Sequence, residues 1–218
     1  MSKRVLTLLA LMAALALGVA ACGDDDSSST STDSSEEPVA VIDSLSGEQT
    51  AVTLDGDFVQ ALTDLEVTPG TVGDAKLKDG VVSFPITGGD VTYYDPSQPL
   101  RPYVQGTINH DGSGLSLEAG GILVELTDFV IDPGTSELTG NVAVDGETAA
   151  EGALLFDLDG STLNPLEVNE DAGTATLEGT TVELSDDAAG LLNDTFGIDA
   201  LEGGLVIGIS EITVAPVG

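Results

Sequence analysis

Ile122-Leu123-Val124-Glu125-Leu126-Thr127-Asp128-Phe129-Val130-Ile131-Asp132-Pro133-Gly134 reads as two short apolar segments followed by a turn. Ile122, Val124 and Leu126 alternate with other side chains, the period of a strand that buries one face. Asp132-Pro133-Gly134 then supplies turn chemistry. The same grammar runs outward in both directions. Apolar segments recur at Ala40–Ile42, Ala51–Leu54, Val81–Ile86, Val91–Tyr94, Val104–Ile108, Leu115–Leu117, Val142–Val144, Ala153–Leu158, Ala175–Leu177 and Leu205–Val214. Between them stand Asp79-Gly80, Gly88-Gly89, Asp111-Gly112, Asp145-Gly146 and Asp159-Gly160, pairs able to take the positive φ values of tight turns. Short strands at this spacing predict a mainly β chain, an antiparallel β-sandwich or flattened barrel.

Two stretches break the pattern and predict short helices. Asp57 to Leu65 puts Phe58, Ala61, Leu62 and Leu65 on one helical face, and Ser185 stands as an N-cap before Asp186-Asp187-Ala188-Ala189-Gly190-Leu191-Leu192. Each follows a short strand, Val52-Thr53-Leu54 and Val182-Glu183-Leu184. At an offset of 130 positions the stretches share Val52/Val182, Leu54/Leu184, Asp57/Asp187, Leu62/Leu192 and Asp64/Asp194. They read either as an internal repeat, each helix plugging one end of the sandwich, or as two similar strand-helix units.

The amino terminus decides where the chain works. Lys3 and Arg4 precede the apolar run Leu6–Leu17, which is shorter than the ~20 residues of a membrane-spanning helix. Val19-Ala20-Ala21-Cys22 follows and resembles the lipobox of bacterial lipoproteins, in which the cysteine is diacylated and becomes the first mature residue. The resemblance implies a signal peptide over residues 1–21, a lipid-modified Cys22 carrying chains such as palmitate, and a place on the outer face of the cell membrane. Cys22 is the sole cysteine, so no internal disulfide forms. Two acyl chains anchor stably where one does not. Residues 22–38 continue as a Ser- and Asp-rich tether whose reach is about 20 to 25 Å. Residues 39–218 form the expected single β-rich domain.

Charge narrows the partners. Past the signal peptide only Lys76, Lys78 and Arg101 stand against the 38 acidic residues of the chain. Nucleic acid and anionic lipid headgroups are repelled by such a surface. With 41% apolar residues the chain is nevertheless no disordered acidic tail.

The catalytic inventory is thin. There is one histidine, no spare cysteine and no nucleophile elbow, and Gly112-Ser113-Gly114 lies in what reads as a hairpin turn. Asp157-Leu158-Asp159-Gly160-Ser161 opens like a calcium loop but lacks its later ligands, leaving a plain turn. Neither an enzyme nor a metal site is expected. A carboxylate-dependent envelope hydrolase is the remaining catalytic alternative, and the absence of tryptophan weighs against a sugar-stacking cleft.

All three tyrosines, the last arginine and the one histidine fall within eighteen residues: Tyr93, Tyr94, Arg101, Tyr103 and His110. Read plainly, the tyrosines cap strand ends and His110 is exposed beside a turn. Read as a site, Tyr93, Tyr94, Tyr103 and His110 are the ligand-binding candidates. Gly106-Thr107-Ile108-Asn109-His110-Asp111-Gly112, Leu115-Ser116-Leu117 and Leu126-Thr127-Asp128-Phe129-Val130-Ile131 resemble the central pattern of the Htaa-type haem-binding domains of actinobacterial surface proteins. Val182 to Val214 is similar to that family's carboxy-terminal part. The resemblance implies haem held by a tyrosine and supported by a histidine. By motif the histidine is His110, and the tyrosine is Tyr93, Tyr94 or Tyr103. The sequence therefore supports a noncatalytic, lipid-anchored β domain that binds a small molecule or an envelope protein, with haem uptake as its specific version.

Overall fold

The computed structural model describes residues 37–97, 99 and 101–216; the signal peptide, Cys22 and nearly all of the tether lie outside them. From the amino terminus come β1 (Ala40–Ile42), β2 (Leu45–Leu54), α1 (Gly56–Asp64), β3 (Thr68–Gly73), β4 (Lys76–Lys78), β5 (Val81–Pro85) and β6 (Gly88–Tyr93). Then follow β7 (Val104–Ala119), β8 (Ile122–Asp132), β9 (Glu137–Val144), β10 (Glu147–Asp159), β11 (Glu167–Asn169), β12 (Thr174–Leu184), α2 (Asp186–Phe196) and β13 (Val206–Pro216).

Asp79-Gly80 and Asp145-Gly146 turn as their chemistry demands, with φ of 53° and 80° in the first and 51° and 82° in the second. These values join β4 to β5 and β9 to β10 as tight hairpins. The main path of the sheet runs β1-β6-β7-β8-β9-β10-β12-β13-β2-β5-β4, with β3 added to β7 and β11 to β12. Every pairing is antiparallel. β1 and β4 do not pair, so the sheet folds over into facing layers without closing as a barrel.

One chain step stitches the open seam. The Ile86 N–H donates to the Glu48 carbonyl on the β2 side, and the next N–H, from Thr87, donates to the Asn109 carbonyl on β7. Phe84 of β5 consequently faces Phe129 of β8, their rings edge to face with centroids 5.2 Å apart, and Phe129 meets Phe156 of β10 in the same way. This aromatic row is the middle of the core.

Asp111-Gly112 and Gly88-Gly89 are not turns. Val104–Ile108 and Leu115–Leu117 belong to one 16-residue strand, β7, and Ile122–Leu126 and Phe129–Ile131 to one 11-residue strand, β8. In both, a bulge resets which face points inward. Along β8 the buried series Val124, Leu126 gives way to Phe129, Ile131; along β7 Ile108, His110 gives way to Ser113. The two bulges lie together. Gly112, at φ 72°, donates its N–H at 2.8 Å to the carboxylate of Asp128, itself at φ 54°. The extra residue's orphaned donor is thereby satisfied.

Both helices form where expected. Asp55 caps α1 by accepting from the N–H groups of Asp57 and Phe58, and Ser185 caps α2 by accepting from Ala188. Asp55 and Ser185 stand at the 130-residue offset, so the two strand-cap-helix units correspond in structure. They do not plug opposite ends. Gly208 of β13 pairs with Leu54 on one side and Val182 on the other, which makes both helices leave the sheet at one end. There α2 buries Ala188, Ala189 and Leu192 in the core.

Candidate functional site

The facing layers enclose a cavity of about 820 Å³, within the range of small-molecule sites. Its wall is apolar and drawn from both layers, with Phe84, Ile108, Phe129, Ile131 and Phe156 along the middle. The wall is apolar because β2, β5, β7, β8, β10, β12 and β13 each turn alternate side chains inward. At the end remote from the helices the lining passes to Pro96, Arg101, Pro102 and Tyr103 of the β6–β7 connection and to Ser161 and Leu163 after β10. These loop residues form the mouth.

Two of the three tyrosines meet there. Tyr93, 8% exposed, and Tyr103 both line the cavity, with ring centroids 6.0 Å apart and planes at 85°. The Arg101 guanidinium lies 5.3 Å from the centre of the Tyr103 ring, and its Nη2 donates to the Pro96 carbonyl at 3.0 Å. Burial first, and then the neighbouring Tyr103 and Asp95, push the Tyr93 phenol above its ordinary value, while a backbone hydrogen bond at Leu166 works the other way. The Tyr93 hydroxyl is thus protonated at neutral pH. Tyr94 is not part of the lining. Strand alternation sends its side chain to the other face, and its N–H closes the loop by donating to the Tyr103 carbonyl at 2.7 Å.

His110 is neither exposed nor beside a turn. It is 1% exposed, on the inward face of β7 immediately before the bulge. The plain reading failed because Asp111-Gly112, taken as a turn, continues the strand. Nδ1 lies 2.9 Å from the Pro85 carbonyl, which can only accept, so Nδ1 carries the hydrogen. Burial holds His110 below its ordinary value, against the opposing pulls of the Pro85 carbonyl and Asp111. In the neutral ring Nε2 is then an acceptor, and the Thr50 hydroxyl 3.1 Å away donates to it.

The structure therefore puts Tyr93, Tyr103 and His110 in the lining of one cavity, the two tyrosines in ring contact and His110 farther along β7. Tyr93 pairs with Val104, six residues before His110 along β7. At the rise of an extended strand that is about 20 Å between backbones, beyond the span of a direct side-chain hydrogen bond. Tyrosines mark the mouth and His110 the inner wall. Thr50, Phe84 and Pro85, which fix the imidazole, carried no sequence signal beyond an apolar or alternating position. Arg101 was visible in the sequence, but only the fold of its loop places it on a tyrosine.

Asp159 forms a turn rather than a site: its carboxylate accepts from the Ser161 N–H at 2.8 Å and from the Ser161 hydroxyl at 2.9 Å. No Asp or Glu is among the described residues lining the cavity.

No family model and no curated protein matches the chain. Among solved structures it is similar to the C-terminal domain of HtaA from Corynebacterium glutamicum, at 16% identity and a TM-score of 0.51, over 78% of this chain and 98% of that one. A domain-swapped dimer of a variant of the same domain matches at 16% identity and a TM-score of 0.43, over 73% of this chain and 90% of that one. The first of these matches shows a shared architecture, so the Htaa-type resemblance read in the sequence holds at the level of the fold: a β domain built like the C-terminal domain of HtaA.

Proposed function

We propose that this chain is a noncatalytic, lipid-anchored protein of the extracytoplasmic face of the cell membrane whose β domain captures an apolar small molecule. The observation that carries the reading is the cavity of about 820 Å³ between the sheet layers, lined by apolar side chains and reached past Tyr93 and Tyr103. That no Asp or Glu is among the described lining residues supports binding over acid-base hydrolysis. Cys22, through the lipobox resemblance, supplies the anchor.

Haem is the specific occupant that the tyrosine pair favours. A phenol oxygen is a known kind of haem-iron ligand, and the apolar wall suits a macrocycle. The fit is on the tyrosine side alone. Tyr93 and Tyr103 would hold the iron; His110, occupied on both nitrogens and about 20 Å along the strand, would not support them.

The test titrates the mature chain, Cys22 to Gly218 without its acyl groups, separately with haemin and with an uncharged solvatochromic dye. A saturable Soret shift lost in Tyr93→Phe or Tyr103→Phe, and kept in Tyr94→Phe, establishes haem capture at the mouth. Dye binding without a Soret shift leaves an apolar-ligand protein that does not take haem. Failure to bind either removes the cavity reading.

A further inference from the structure

At one step along β13 the polarity of the strand is reversed. Ile209, on the outward face, is 41% exposed, whereas its neighbour Ser210, on the inward face, is 3% exposed. Ser210 stands in an inward series with Ile212 and Val214, and all three line the cavity. An apolar residue there would complete the wall, and a buried hydroxyl without a partner lowers stability.

Ser210 has no such partner. The buried polar residues described are Thr50, His110, Ser113, Ser185 and Ser210. Thr50 and His110 bond each other, Ser113 donates to the His110 carbonyl, and Ser185 donates to the Leu154 carbonyl. The Ser210 hydroxyl alone makes no hydrogen bond among the described residues. Every described side-chain oxygen and nitrogen that is sealed off by protein does have a partner, so the Ser210 hydroxyl opens onto the cavity.

Its neighbours define what it can hold. Thr180 of β12 pairs directly with Ser210, lines the cavity too, and likewise leaves its hydroxyl without a partner among the described residues. On the other side Ser210 pairs with Val52 of β2, which puts Thr50 on the diagonal, about 7 to 8 Å away. The Thr50 hydrogen is committed to Nε2 of His110, so its oxygen can only accept. An oxygen placed between Ser210 and Thr50 therefore receives a hydrogen bond from the first and gives one to the second. A hydroxyl does both, whereas a ketone or an ether has no hydrogen to give. A charged group would be buried here without a counter-charge, because burial disfavours the charged form of His110 and the other three side chains are neutral. Ser210 is also two residues along β13 from Gly208, the level at which both helices leave the sheet, and so lies toward the end remote from the mouth.

We propose that the cavity takes an uncharged apolar alcohol, hydroxyl end inward, with that hydroxyl held by Ser210, Thr180 and the Thr50 oxygen. The assignment rests on the apolar-capture reading above rather than on its haem version, and it names the chemical class of the ligand.

Two probes of equal chain length decide it: 1-decanol and 1-chlorodecane, each used to displace the uncharged solvatochromic dye from the mature chain, Cys22 to Gly218 without its acyl groups. Ser210→Ala is expected to weaken 1-decanol about two- to tenfold, the worth of one neutral hydrogen bond, and to leave 1-chlorodecane unchanged. Thr180→Val is expected to act in the same direction. Without ligand, Ser210→Ala should keep or raise the urea midpoint, since it removes an unsatisfied group; a lowered midpoint would mean that the hydroxyl is bonded within the protein, and overturns the proposal. Equal effects of Ser210→Ala on both probes, or failure of both to displace the dye, overturn the hydroxyl assignment while the cavity reading stands. If the dye itself does not bind, the cavity reading falls as well.

Discussion

Thr50 on β2 donates its hydroxyl hydrogen to Nε2 of His110 on β7, 3.1 Å away and 60 positions along the chain. The other nitrogen of the same ring donates to the Pro85 carbonyl on β5 at 2.9 Å. One imidazole thus joins the two layers at the seam where the sheet fails to close. Both its nitrogens are buried, so each needs its partner.

Thr50→Val keeps the shape of the side chain and removes the donor. Nε2 is then left without a partner in a site closed to water. The expected loss is about 1 to 3 kcal/mol of unfolding free energy, read by urea denaturation with far-ultraviolet circular dichroism. A loss below about 0.5 kcal/mol, the size of an ordinary surface substitution, would show that the bond does not hold the seam.

The same ring sets a pH dependence. Burial lowers the His110 pKa in the folded chain relative to the unfolded one, whose value is near 6.5. Below about 6.5 the unfolded chain therefore binds more protons, and stability falls as pH drops until the folded-state pKa is reached. Above 6.5 His110 contributes no slope. The fall should approach, and not exceed, about 1.4 kcal/mol per pH unit from this group. His110→Gln is expected to flatten the profile between about pH 6.5 and 5, before the carboxylates titrate. An unchanged profile in that variant would assign the slope to other groups.

Asp128 ties the paired bulges. Its carboxylate accepts from Gly112 N–H at 2.8 Å, from the Thr127 hydroxyl at 3.0 Å and from the Asn141 amide at 3.2 Å. These bonds, Gly112 foremost, hold its pKa below the usual carboxylate range. Asp128→Asn tolerates the same left-handed backbone while weakening the charge-assisted bonds. The expected cost is about 1 kcal/mol. Loss of amide-exchange protection should concentrate at Gly112–Gly114 and Thr127–Val130; uniform loss over all strands would mean that the bulges are not held locally.

Cys22 is the one position whose chemistry the lipobox predicts outright. Cells fed labelled palmitate should label the chain, and Cys22→Ala should abolish the label. Persistent labelling of the variant, with no other cysteine in the chain, would remove the lipoprotein reading.

Local rules carried the sequence reading as far as they reach. Asp79-Gly80 and Asp145-Gly146 turn as expected because both of their residues can take positive φ, and Ser185 caps α2 as expected because its side-chain oxygen replaces a missing acceptor. Asp111-Gly112 misled because the positive φ it permits serves a bulge as well as a turn. Whether the strand reverses or continues depends on a partner, here Asp128, sixteen positions away.

The sequence by itself determined the β class, the two helices and the acidic surplus, since periodicity, capping and charge are properties of neighbouring residues. Only the tertiary structure decided that Tyr93 and Tyr103 share a mouth with Arg101, that Tyr94 faces away, and that His110 is a buried tie between layers. Those facts depend on strand pairing between distant segments and on the phase of each bulge. A single inserted residue exchanges inward and outward faces, and no local pattern records which partner absorbs it.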